Sequence, residues 1–305
     1  MRAPALVALL LACRAHPAPP PPDVARGQRL FALAESLEKD SRWAEAVAEY
    51  ERVAHVEKNT AGREPARALV RAAEIRADRL NDPDGAAADC WRAIRTWPDA
   101  APSDDAVREL SRLKPPNLRA ELLAAARALG RTEIGDNLRF AAAELIETAE
   151  PPRARAEYEA IARAYPQSGL RDDALFRAAH LARAAGDPDG ALEDLHLITA
   201  RQRDSMLIGS FNSALMDDAQ LEAGRIRLED KKDVKGAVAA WEKLRDEMPD
   251  STLRDDAQMW IARAFAQSGD AAHGCAALVR LRHDFPTSRY LRREAPELGA
   301  QLGCK

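Results

Sequence analysis

Apolar residues recur along this chain at the three-to-four-residue spacing of one helix face. Ala154, Tyr158 and Ile161 share one such face, and Gly274, Leu278 and Leu281 share another. This period predicts amphipathic α-helices. Alternating β-branched runs are almost absent and Pro and Gly fall mainly at turns, which excludes a sheet protein. Upstream of these helices, inside a preceding helix, sits a second small residue: Ala142 before Ala154, Ala179 before Ala191, Ala262 before Gly274. Facing small residues let two helices approach closely, and bulkier neighbours fill the seam to the next pair.

The pattern repeats. Arg71-Ala72-Ala73 leads to Asp82-Pro83-Asp84-Gly85-Ala86, and Arg177-Ala178-Ala179 leads to Asp187-Pro188-Asp189-Gly190-Ala191. A large residue followed by Pro marks the exits Trp97-Pro98, Tyr165-Pro166, Met248-Pro249 and Phe285-Pro286, at intervals of 68, 83 and 37 residues. The first is two repeats of 34, and the second is two repeats plus an insertion near 203–214. The expected fold is all-α: a right-handed α-solenoid of about seven helix pairs with a C-terminal closing helix, spanning 24–303. Each pair buries its apolar face on its neighbours, so no separate globular core is required.

These residues resemble the tetratricopeptide repeat family. The best match runs from Ala257 to Pro286, through Ala262, Phe265, Gly269-Asp270, Gly274 and Leu278, and Arg29 to Val53 matches through Ala34, Leu37, Ala46 and Tyr50. Repeats beginning near Glu64 and Asp217 need one more turn residue, and Ser103 to Leu129 fits poorly. The resemblance implies a groove lined by the first helix of each pair, taking an extended peptide or a partner helix. Candidate groove contacts are Arg139, Arg177, His180, Arg225, Arg263 and Gln267. Should these arginines converge, the ligand they imply is an acidic or carboxylate-bearing segment.

The N-terminus is of another kind. Arg2 precedes an apolar run from Ala5 to Ala12 that is too short to span a bilayer, and Leu10-Leu11-Ala12-Cys13 resembles a bacterial lipoprotein cleavage site. Residues 1–12 are the expected signal peptide, and 13–23 a lipidated Cys13 followed by a proline-rich tether. Arg14 stands where an acidic residue is associated with inner-membrane retention, so the expected location is the periplasmic face of the outer membrane, with the lipid as the only membrane contact. Lipobox, spacer and exits of the form Tyr165 to Ser168, Met248 to Ser251 and Phe285 to Ser288 together resemble the outer-membrane lipoproteins of the β-barrel assembly machinery. Alternative readings are a periplasmic coordinator of cell-wall synthesis with the Tol-Pal system and an accessory to peptidoglycan-cleaving enzymes.

Composition narrows the chemistry. The formal charge is -4, falling to about -5 once Arg2 is removed. The arginines are scattered beside Asp and Glu without a basic stripe or interleaved aromatics, so no nucleic-acid partner is expected. Acidic pairs at Asp104-Asp105, Asp172-Asp173, Asp217-Asp218 and Asp255-Asp256 each open a first helix, where carboxylates cap free N–H groups and meet the helix dipole. Neighbouring helical residues diverge by about 100°, which suits them poorly to paired acid–base work. The histidines lack ligands at metal spacing, and no nucleophile or phosphate-loop motif is present, so no metal, cofactor or enzymatic activity is expected. Met206, Leu207, Ile208 and Phe211 fall in the insertion as candidate partner contacts. An antiparallel closing helix would return Cys304 towards Cys275, making these the expected disulfide, with Cys90 a buried free thiol.

Overall fold

The Asp-Pro-Asp-Gly-Ala phrase is a helix start. Asp187 stands at an N-cap, its carboxylate accepting the Gly190 N–H at 2.9 Å, and Pro188 opens the first turn, where its missing N–H leaves nothing unsatisfied. The helix before it stops at Gly186, whose φ of +77° lets the Asp187 N–H reach back to the Ala182 carbonyl at 2.9 Å. Asp82 caps Gly85 N–H in the same way after Asn81 at φ +53°. Asp233 and Asp270 cap Gly236 and His273 without the proline. Such caps contribute about 1 kcal/mol each.

The computed structural model describes residues 22–56, 58, 63–130, 132, 134–200 and 215–305. Cys13, the proline-rich stretch before Pro22, and Met206, Leu207, Ile208 and Phe211 lie outside the described residues. Among those described, fifteen α-helices follow one another with one 3-10 turn. Packing divides the chain into two compact units, meeting in sequence at Pro115-Pro116.

The first unit holds α1 (Pro22–Lys39), α2 (Trp43–Val56), α3 (Arg63–Asp78), α4 (Pro83–Thr96) and α5 (Pro102–Leu113). The second holds α6 (Leu118–Ala128), α7 (Gly135–Glu144), α8 (Pro151–Ala164), α9 (Leu170–Ala184), α10 (Pro188–Thr199), α11 (Met216–Glu229), α12 (Val234–Glu247), α13 (Arg254–Gln267), α14 (Ala271–Asp284), the 3-10 turn Arg289–Arg292 and α15 (Glu294–Leu302). Consecutive helices pack on one another within each unit. The Ser103–Leu129 segment, poor in repeat character, is divided between the units: α5 packs on α3 and α4, and α6 on α7.

The facing small residues sit where the pattern requires. Ala34, Ala46, Ala142, Ala154, Ala179, Ala191 and Ala262 are each 1% exposed or less. Gly224 on α11 takes the same part opposite Trp241 of α12, a fully buried indole whose N–H donates to the Leu221 carbonyl at 3.0 Å. A Cβ on Gly224 would overlap that ring.

Two of the acidic pairs do more than the capping expected of them, which Asp217 carries out by accepting the Asp218 N–H at 3.0 Å. All four pairs lie in the first turns of α5, α9, α11 and α13, and none of these starts has a side-chain cap at its N-cap residue. Asp217 and Asp255 also accept hydrogen bonds from Ser251 and Ser288, the serines at the exits of their own pairs, at 2.6 and 2.7 Å. Asp136 accepts from Ser168 likewise. Each of these serines also accepts the N–H two residues on, at Leu170, Leu253 and Tyr290. The exit motif therefore ties the end of a pair back to its beginning.

At the C-terminus α15 packs on α14 and α13, and Cys275 and Cys304 are disulfide-bonded with their Cα atoms 5.4 Å apart. Cys90 is buried and unbonded, its thiol pushed well above the usual range by burial.

Candidate binding groove

In the first unit, α1, α3 and α5 share one face and enclose a groove of about 930 Å³. Its apolar surface is Phe31, Tyr50 and Val70, set among five carboxylates and five cations. Helical spacing puts these residues there: Phe31, Glu35 and Glu38 recur at i, i+4 and i+7 on α1, and Arg67, Arg71 and Glu74 do so on α3. Phe31 is nearly buried, edge-on to Tyr50 at 5.1 Å, with the Arg67 guanidinium 4.2 Å above its ring.

The charges are matched across helices. Glu38 accepts from Tyr50 Oη at 2.9 Å and pairs with Arg71, whose other arm reaches Glu74 at 2.5 Å. Arg112 pairs with Glu109 at 2.5 Å and with Asp78 at 3.0 Å, and Arg108 pairs with Asp105. Arg67 approaches Glu64 and Glu35 at 3.6 and 3.9 Å. All four groove arginines thus have anionic neighbours. Burial, reinforced by Glu38, holds the Tyr50 hydroxyl protonated well above its usual range, so it stays a donor.

The same lock recurs in the second unit. Tyr158 Oη donates to Glu147 at 2.7 Å, Arg177 pairs with Glu147 and Glu144 at 2.8 Å each, and its guanidinium lies 5.9 Å from the Phe140 ring. The Arg-Ala-Ala phrase therefore encodes a bridge between successive pairs: Arg71 and Arg177 each reach a glutamate 33 residues earlier.

The arginines expected to line the groove each have a partner within the chain. Arg177 is committed to two glutamates. Arg139 Nε donates to Tyr165 Oη at 3.2 Å. Arg225 and Arg263 do converge, with guanidiniums 5.4 and 4.8 Å from the Trp260 ring, but Arg225 pairs with Glu222 at 3.0 Å and Arg263 with Glu294. His180 is exposed and edge-on to Phe176 at 4.7 Å, and Gln267 is exposed at the end of α13. The first-unit groove was missed because its residues look ordinary one helix at a time. The available signal was the 33-residue interval between Glu38 and Arg71, echoed by Glu144 and Arg177.

Two buried acids lie on the second helices. Burial pushes the Asp89 carboxyl up to about 6, although Arg76 Nε donates to it at 2.9 Å. Its counterpart after the second Asp-Pro-Asp-Gly phrase, Asp194, is pushed up to about 7, first by burial and then by Glu159. Arg155 comes only to 3.8 Å, leaving Asp194 Oδ2 without a hydrogen-bond partner. Among the described residues, no group of three or more His, Cys, Asp or Glu is placed to hold a metal ion, and no helix is long and apolar enough to cross a membrane.

No family model and no curated protein matches the sequence. Solved structures do resemble it. The C-terminal part of a TPR repeat-containing protein from Cytophaga hutchinsonii matches with a TM-score of 0.52 at 16% identity, covering 88% of this chain and 98% of that one. PilW, a type IV pilus biogenesis factor, has a TM-score of 0.37 at 16% identity over 88% of this chain and 97% of its own. Pseudomonas aeruginosa pilF has a TM-score of 0.36 at 11% identity over 92% and 99%. Together with the consecutive packed helices and their paired small residues, the first of these likenesses shows the tetratricopeptide-repeat fold, an all-α solenoid of helix pairs.

Proposed function

We propose that this chain is a non-enzymatic protein-interaction scaffold of the bacterial envelope, receiving a partner segment in the α1–α3–α5 groove. The groove itself carries the reading: three first helices present a continuous recess floored by the buried Phe31, Tyr50 and Val70, between ion-paired walls whose exposed side chains, Arg67 and Arg108 among them, are open to a partner. Grooves of this build take extended or helical segments. The lipobox-like Leu10 to Cys13 and the proline-rich spacer support tethering through lipid on Cys13, facing the periplasm. Their combination with the tyrosine-proline-polar-serine exits supports outer-membrane protein assembly as the process served. The exit serines have a structural task of their own, so the lipobox and spacer carry more of that assignment than the exits do.

Site-specific photo-cross-linking tests the groove. A photoreactive residue at Arg67 or Arg108, both exposed on its walls, is expected to give a discrete adduct in cells, whereas one at Val279, exposed on α14, gives none. Equal adducts at all three positions, or none, would overturn the assignment. Metabolic labelling with a palmitate analogue tests the tether separately, and a Cys13→Ala protein labelled like the native chain would remove it.

A further inference from the structure

We propose that the Cys275–Cys304 bond is a redox latch that holds α15 over the last helix pair and releases it when reduced. The helix is poorly equipped to stay in place alone. It has nine residues, of which only Ala295 is buried, and an isolated helix so short does not persist in water. Its apolar contact is a narrow line. Leu302 packs where Gly274 has no side chain, its Cδ1 lying 2.7 Å from the place a Cβ would occupy, and Leu278 lies beneath Gly299.

The two ends are held differently. At the root, the 3-10 turn is fastened by noncovalent bonds that reduction leaves untouched: Ser288 to Asp255 at 2.7 Å, Tyr290 Oη to Asp256 at 2.5 Å, Arg289 to Asp256 at 2.7 Å, and Arg263 to Glu294. At the tip, Gly303 adopts φ +69° and the Cys304 N–H returns to the Gly299 carbonyl at 2.9 Å, turning Cys304 towards α14. No ion pair follows Glu297; beyond it only the leucine contacts and the disulfide hold the strap. Both cysteines are partly exposed, so a small dithiol or a dithiol protein can reach them. One thiolate of that reductant attacks a cystine sulfur to give a mixed disulfide, and its second thiolate resolves it. Cys275 and Cys304 leave as thiols, and the reductant leaves as its own disulfide. With the tip freed, α15 frays from Leu302 back towards Glu294 and uncovers Gly274 and Leu278.

Hydrogen exchange of the full chain, with and without excess dithiothreitol and with thiols counted by mass spectrometry, tests this. The reduced protein is expected to exchange amides of residues 297–302 at least about tenfold faster, while α13 and α14 change by less than about twofold. A Cys275→Ser, Cys304→Ser protein should match the reduced state under both conditions. If that variant fails to fold, the dithiothreitol arm decides alone. The proposal is overturned if 297–302 are unchanged after verified reduction, if acceleration spreads equally through α11 to α14, or if the folded protein resists dithiothreitol.

Discussion

Ser251 Oγ donates a 2.6 Å hydrogen bond to Oδ2 of Asp217, 34 residues earlier, while accepting the Leu253 N–H at 3.0 Å. One hydroxyl therefore closes a helix pair and starts the next. Ser251→Ala removes both bonds and is expected to cost about 1–2 kcal/mol, given the charged acceptor. Urea denaturation followed by circular dichroism should show it. Asp217→Ala combined with Ser251→Ala should cost less than the two single changes summed; full additivity would mean that the two groups do not cooperate.

Gly224 is expected to tolerate no side chain. Its Cβ would overlap the indole of Trp241, which is fully buried and fixed by its bond to Leu221. Gly224→Ala should lower stability by about 1–3 kcal/mol despite the better helix propensity of Ala. A thermal midpoint equal to or above that of the native chain would contradict this contact.

Asp194 should make the second unit sensitive to pH. Its carboxyl titrates near 7 in the fold, above an unfolded value of about 4. The folded chain therefore holds this proton more tightly, so its contribution to stability is full below the unfolded value and is lost as pH rises towards 7. The groups facing it are Glu159, Glu193 and Asp187, opposed only by Arg155. Asp194→Asn is expected to stabilise the protein by about 1–3 kcal/mol at pH 8 and by nothing near pH 4. Chemical denaturation at the two pH values measures the difference, and a gain independent of pH would assign it to something other than ionisation.

Glu38 is the hub of the groove wall, joined to Tyr50 and Arg71. Glu38→Ala should destabilise the first unit by about 1–2 kcal/mol, because the hydroxyl of the buried Tyr50 loses its acceptor. Tyr50→Phe, which removes the hydroxyl altogether, should cost less. Hydrogen exchange in α1 to α3 resolves the two, and the reverse order would show that the phenol has another partner.

Much of the architecture was legible because its determinants are local. Asp187, Pro188 and Gly190 specify a cap within four residues, and Ala179 and Ala191 specify a close helix approach within thirteen. The groove was not legible in the same way. Whether Arg177 is free or paired depends on Glu144 arriving one helix pair earlier in the right register, and that is a tertiary fact. The second role of Asp217 and Asp255 was hidden for a related reason: a carboxylate in a first turn suits backbone N–H groups, as Asp217 does at Asp218, and nothing local shows that a serine hydroxyl from the exit also reaches it.

The matched charges around Phe31 bear on how fast a partner arrives. With Arg67, Arg71, Arg108 and Arg112 all facing carboxylates of their own chain, the recess projects little field beyond a Debye length of about 8 Å at physiological ionic strength. Encounter then proceeds without long-range attraction, at the roughly 10⁵–10⁶ M⁻¹s⁻¹ typical of unsteered association. Added salt should leave the on-rate almost flat, and selectivity must come from how long the seated segment stays.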